Sequence, residues 1–199
     1  MNEEELRRYE THMQSLLCNE GGKLDRKLKL AAFYILCAEE LRAAILEKAR
    51  SFFNLDGQLA RKPDLPENLR DLASPKSDKR LKAAVQWFVD LAAFNDDDKD
   101  LVSLAIGLRN DAAHRLHMML LDHTEDRFSE WVPFSMIVLT NKINRWWIKN
   151  FEAEIDPQGF ENFSEDDLNN SETIAASLTR HLFLAAFPGF AAKVGTTAR

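Results

Sequence analysis

Between residues 25 and 54 the apolar side chains Leu30, Tyr34, Cys37, Leu41, Ile45 and Phe52 recur at three- and four-residue steps. That spacing draws one stripe along a helix of about 3.6 residues per turn, and it predicts a single long helix. Arg26, Lys27, Lys29, Glu40, Arg42 and Glu47 supply its polar faces. Such a helix cannot bury its stripe alone, so the rest of the chain has to provide the elements that cover it.

The same period runs through the remaining sequence. Residues 3–19 predict a shorter helix ended by the Gly21-Gly22 pair. Leu81, Val85, Phe88 and Ala92 mark another, closed at Phe94-Asn95. Asp96-Asp97-Asp98 then offers an N-cap, and negative charge where a helix start favours it, to a helix over about 99–121. Trp131, Phe134, Ile137, Val138, Ile143, Trp147 and Phe151 predict a fourth major helix over about 129–155, with Pro133 tolerated in its first turn. A last helix over about 172–187 stops at Pro188-Gly189. Residues 54–66, with Gly57, Pro63 and Pro66, and residues 156–170 read as loops. No run alternates as a strand would. The expected fold is all-α: a compact bundle of four to six helices, one domain over 1–187, and a tail over 188–199.

Composition agrees with that reading. Seven Gly and six Pro in 199 residues are too few for a turn-rich β-sandwich or barrel. The formal net charge of -6 disfavours a protein that coats nucleic acid non-specifically, while leaving room for a local basic groove. Charge is unevenly spread. Residues 23–50 carry seven basic and four acidic side chains, whereas 151–172 carry eight acidic and no basic ones. Both segments read first as solvated faces. Cys18 and Cys37 lack CxxC spacing and read as free thiols of a reducing compartment, packed as small hydrophobes. The acidic N-terminus is no secretory signal, and the uninterrupted apolar run Leu30 to Ala38 is only nine residues. A cytoplasmic protein without membrane contact is expected.

There is no phosphate-binding Gly-rich loop, no GxSxG and no HExxH. Chemistry concentrates instead in Arg109-Asn110-Asp111-Ala112-Ala113-His114-Arg115-Leu116-His117. At about 100° per residue, Leu101, Ala105, Leu108, Ala112, Leu116 and Met119 line up as a core face. Asn110, His114 and His117 fall nearly opposite. Arg109 falls beside a second apolar strip, Val102, Ile106, Ala113 and Leu120. A second strip invites another helix or a second copy of the chain, and predicts a homodimer along this helix. Arg109 can offer two donors to a phosphodiester, and His114 can move a proton near neutrality. Asp111, His114 and His117 offer an alternative, a divalent-metal site, which a further helix would have to complete. Trp146-Trp147 with Phe151 reads first as core and second as a base-stacking surface.

Arg109-Asn110 followed by His114, with four residues between Arg and His, resembles the motif of the HEPN superfamily (higher eukaryotes and prokaryotes nucleotide-binding). The long helix with Glu39, Glu40 and Lys48 is similar to the first core helix of such domains. The resemblance covers about 25–155. It implies a metal-independent, cofactor-free endoribonuclease working as a homodimer, of a kind often found as a toxin or antiviral effector and controlled by an antitoxin or regulatory protein. In that reading Arg109, Asn110 and His114 are catalytic, and Asp111, His117 and Glu40 support them. His114 would help deprotonate the ribose 2′-hydroxyl, Arg109 would stabilise the phosphate charge, and Asn110 would position both. One branch of the family carries Tyr two residues after the His; here Leu116 stands there, so control by modifying that Tyr is not available. Arg7 and His12 repeat the spacing with Arg8 in place of Asn, and read as coincidence. A catalytically silent HEPN-like module that binds nucleotide, RNA or protein is the alternative.

Overall fold

A computed structural model describes residues 3–18, 20–53, 67–74, 76–121, 128–161 and 163–197. The loop expected over 54–66 lies outside the described residues. Helix α1 (Glu3–Leu17) leads through a short 3₁₀ turn, Glu20–Gly22, into α2 (Lys23–Phe52). Gly21 and Gly22 both take the left-handed conformation, at φ 60° and 71°. A side chain with a Cβ is strained there, so this pair makes the bend that separates the two helices.

A 3₁₀ segment, Glu67–Ala73, precedes α3 (Ser77–Asp90), and α4 (Asp96–His114) follows a tight turn. Asn95 is the residue that caps α4. Its side chain accepts from the Asp98 backbone N–H at 2.8 Å, while the Asp98 carboxylate accepts from the Asn95 backbone N–H at 2.9 Å. This reciprocal box fixes where α4 starts. The Asp98 carboxylate also takes Lys142 at 2.5 Å, tying that start to a second helix. Helix α6 (Trp131–Trp147) carries Pro133 in its first turn and runs on through a π-helical turn, Ile148–Glu152, into α7 (Ala153–Ile155).

The long α2 is the axis of the bundle. Its stripe of Leu30, Tyr34, Cys37, Leu41 and Ile45 is buried, and α4 and α6 pack along it. Tyr34 is fully enclosed, and its hydroxyl donates to the Ser129 carbonyl at 2.9 Å. Burial raises the Tyr34 pKa, and it pushes the Cys37 thiol up to about 12, so Cys37 is an inert core residue. Cys18, by contrast, is exposed. Trp147 is buried, and Trp146 packs edge-on against Phe88 and Phe151, so both tryptophans belong to the aromatic core.

The C-terminal part differs from expectation in two places, on either side of a helix that forms where expected. The loop at 156–170 contains a short helix, α8 (Glu165–Asn170), anchored by Lys149 on Glu165 at 2.8 Å. Residues 174–186 form α9 (Ile174–Ala186), capped by Thr173. The segment expected as a tail from 188 is instead α10 (Pro188–Thr197), because Pro188 sits at a first helical position and Phe190 has a pocket to fill. Phe190 is 2% exposed, packed edge-to-face with Trp131, Phe134 and Phe183. No strand occurs among the described residues, and the chain is an all-α bundle. No described helix is by itself long and apolar enough to cross a membrane; α9 and α10 pass on length and composition only together, across a bend of 113°.

Candidate functional site

The motif helix ends at its own histidine. His114 is the last residue of α4, and Arg115 leaves helical geometry at φ -132° and ψ 34°. The helix expected over 99–121 is therefore two pieces, with α5 (Leu116–Leu121) set apart. His117 lies on α5, exposed, so the line drawn from Asn110 through His114 to His117 does not exist in the fold.

The second apolar strip also has a different use. Val102 is 4% exposed and Ile106 half-buried, both within this chain's own core, whereas Ala113 of the same strip is exposed. Helix α4 packs against α2, α3 and α6, and several neighbours require a broad buried face. Met119 keeps its place in the core, but Leu116 turns outward. The outward face of α4 instead presents Leu104, Gly107, Asn110 and His114.

Arg109 sits at the edge of that broad face, with its side chain 31% exposed. One terminal nitrogen donates to Asn110 Oδ1 at 3.1 Å, and the other meets Glu39 Oε1 of α2 at 2.5 Å. Its Nε is buried with no partner. Glu39 passes its second oxygen, Oε2, to Arg42 at 3.2 Å, and Arg42 also donates to the Ser77 hydroxyl of α3. Three helices thus meet in one chain of charge: Asn110, Arg109, Glu39, Arg42, Ser77.

Glu40 is not part of it. It accepts a hydrogen bond from Thr179 of α9 at 2.7 Å, on the other side of α2. Of the two neighbouring glutamates it is Glu39, not Glu40, that meets Arg109. The reason is angular: Glu39 and Glu40 stand on opposite flanks of the buried stripe, about 100° apart, and α4 lies on the Glu39 flank while α9 lies on the Glu40 flank.

His114 is exposed, with no hydrogen bond or ion pair to the described residues. Five helical steps lead from Arg109 to His114, which turns the two side chains about 140° apart. One chain therefore does not aim both at one point along α4. Asp111 is half-buried and pairs with Arg115 at 3.7 Å. Among the described residues no three His, Cys, Asp or Glu side chains are grouped to hold a metal ion, so Asp111, His114 and His117 do not converge.

A separate cleft of about 380 Å³ opens at the far end of α2, between its first turns and the α9–α10 junction. Arg26, Lys29, Glu130, Phe187, Phe190 and Lys193 are among its lining residues. No residue of α4 reaches it. Its cations are committed locally, Arg26 to Glu130 at 2.9 Å and Lys29 to Asp25 at 2.7 Å. Comparison with protein-family models, with curated proteins and with solved structures gives no match to this chain.

Proposed function

We propose that the chain is a HEPN-type, metal-independent endoribonuclease that acts as a homodimer. The observation that carries this reading is the pairing of a rim guanidinium, Arg109, braced by Asn110, with an exposed imidazole, His114, that has no partner among the described residues and stands at the end of the same helix. A guanidinium stabilises the charge that builds on phosphorus, and an imidazole moves protons near neutral pH. The 2′-oxygen attacks phosphorus, its proton passing to His114. The 5′-oxygen leaves and is protonated, which yields a 2′,3′-cyclic phosphate and a 5′-hydroxyl.

The 140° divergence of Arg109 and His114 gives the dimer a purpose. Two copies packed through the outward face of α4, around Leu104 and Gly107, present His114 of one copy towards Arg109 of the other. Gly107 has open space around its Cβ position, so a second helix can approach closely there. An antitoxin or regulatory protein is the partner expected to hold such an enzyme in check.

A silent RNA-binding module is the second reading, favoured by the Glu39 carboxylate that already neutralises Arg109. Incubation of total RNA with pure protein in EDTA separates the two. The nuclease reading expects fragments with cyclic or 3′-phosphate ends, resistance of 2′-O-methyl RNA, and silence of His114→Ala. Cleavage of DNA, or loss of activity with EDTA, contradicts the mechanism, because a metal-activated water does not need the 2′-hydroxyl. RNA binding without cleavage selects the module.

A further inference from the structure

We propose that Arg42 and Arg109 together form a phosphate-binding pair, and that Glu39 occupies the phosphate position when no ligand is bound. The inference rests on reading Arg109 as a phosphate-binding group, and it adds a second cation from another helix and a gate between them.

The geometry is that of a bridged anion. The two Glu39 oxygens are taken by different guanidiniums, Oε1 by Arg109 at 2.5 Å and Oε2 by Arg42 at 3.2 Å. A phosphodiester has two non-bridging oxygens that fit the same pair of donors. Each arginine also has an anchor that does not depend on Glu39: Asn110 Oδ1 for Arg109, and the Ser77 hydroxyl for Arg42. The pair therefore keeps its aim when the carboxylate swings away. All three side chains reach solvent, at 31% exposed for Arg109, 30% for Arg42 and 37% for Glu39. Glu39 can rotate out, and a phosphate can enter from the same side.

Charge works in the same direction. Two guanidiniums against one carboxylate leave a single positive charge, too little to draw RNA to a chain of net charge -6. Displacing Glu39 exposes two positive charges to one phosphate. The site is thus weak towards stray anions and strong towards a backbone that pushes the carboxylate aside. It reads phosphate and not base, so sequence preference has to come from elsewhere.

The test uses the full chain carrying His114→Ala, so that RNA stays intact, in EDTA. Fluorescence polarisation follows a labelled RNA decamer, and inorganic phosphate is scored separately by thermal shift. Arg42→Gln and Arg109→Gln should each weaken RNA binding by about tenfold. Glu39→Gln should tighten it by a similar factor and steepen its salt dependence by about 0.7 in the log–log slope. Adding Arg42→Gln to Glu39→Gln should cancel the gain. Inorganic phosphate should stabilise Glu39→Gln more than the parent; stabilisation by RNA alone would show that neighbouring phosphates are needed as well, still through the same pair.

If Arg109→Gln weakens binding and Arg42→Gln does not, the paired site is wrong while the nuclease reading stands. If neither RNA nor millimolar phosphate binds any variant, the inference is overturned. Should Glu39→Gln lose its helicity, the Arg42→Gln against Arg109→Gln comparison decides alone. Cleavage by the His114-intact chain, scored separately, reports on the nuclease reading.

Discussion

Glu172 and Glu39 each hold an arginine, and the two sites are built differently. Glu172, just ahead of α9, takes Arg180 through both oxygens, with nitrogen–oxygen distances of 3.0 to 3.3 Å, and takes the Asn141 amide of α6 at 2.7 Å. Its side chain is 15% exposed, and Arg145 donates to the adjacent Ser171 carbonyl at 2.9 Å. One fork meets one carboxylate, and the result fastens α9 to α6. Glu39 instead divides its oxygens between two arginines, is more than twice as exposed, and leaves Arg109 Nε without a partner. A forked, sheltered pair spends its donors on the fold. A divided, open one keeps donors that a ligand can take over.

The largest effect expected from this contrast is on activity. Arg109→Met and His114→Ala should each lower RNA cleavage by at least about a hundredfold. Both should melt close to wild type: His114 is exposed, and methionine keeps the apolar stem of Arg109 while removing its unpartnered Nε donor. Circular dichroism beside a gel assay checks both halves. Unfolding of Arg109→Met would assign the guanidinium to stability and erase the contrast.

Next comes stability at the other site. Arg180→Ala strands a mostly sheltered carboxylate, and should cost about 1–2 kcal/mol in urea unfolding without changing RNA cleavage. A loss of cleavage at unchanged stability would show that the two sites are coupled.

Acid should act through Glu172 in a defined window. The hydrogen bond from Arg180, and then that from Asn141, hold its carboxyl below the ordinary value of 4.5 against the opposing effect of burial. A carboxylate with a depressed folded pKa contributes stability that is full above the unfolded value and fades as pH falls through the folded one. Melting temperature should therefore drop below about pH 4.5, and Glu172→Gln should flatten that part of the curve. An unchanged acid limb in the variant would place the acid sensitivity elsewhere.

The smallest effect is at Glu39. Glu39→Gln loses two half-exposed ion pairs and should change unfolding free energy by no more than about 1 kcal/mol. A cost well above that would make Glu39 a fastening like Glu172.

Much of this was legible in the chain before any fold. The stripe of α2 predicted its own burial, and the arrest at Gly21-Gly22 followed from residue type. The cap of α4 is Asn95, ahead of the expected Asp96-Asp97-Asp98, and the helix starts at Asp96 instead of about 99, because Asn95 and the three following aspartates are all good caps and only the Asn95–Asp98 box distinguishes them. The break at Arg115 had no signal, since Arg115-Leu116-His117 contains neither Gly nor Pro. Helix α10 was hidden by Pro188-Gly189, a pair that ends one helix and here also begins the next.

What the sequence determined by itself is the major helices and the buried stripe of α2, because a period of 3.6 residues is a local property of the chain. It also put Arg109, Asn110 and His114 on one helix. What only the tertiary structure decided is which flank meets which neighbour. A stripe gives Glu39 and Glu40 equal standing on its two sides; packing sends Glu40 to Thr179 and Glu39 to Arg109. It likewise turns Val102 inward and leaves Leu104 and His114 outside. The physical reason is that amphipathic helices of similar character can cover α2 in more than one order, and that order follows from the summed fit of side chains across the whole bundle.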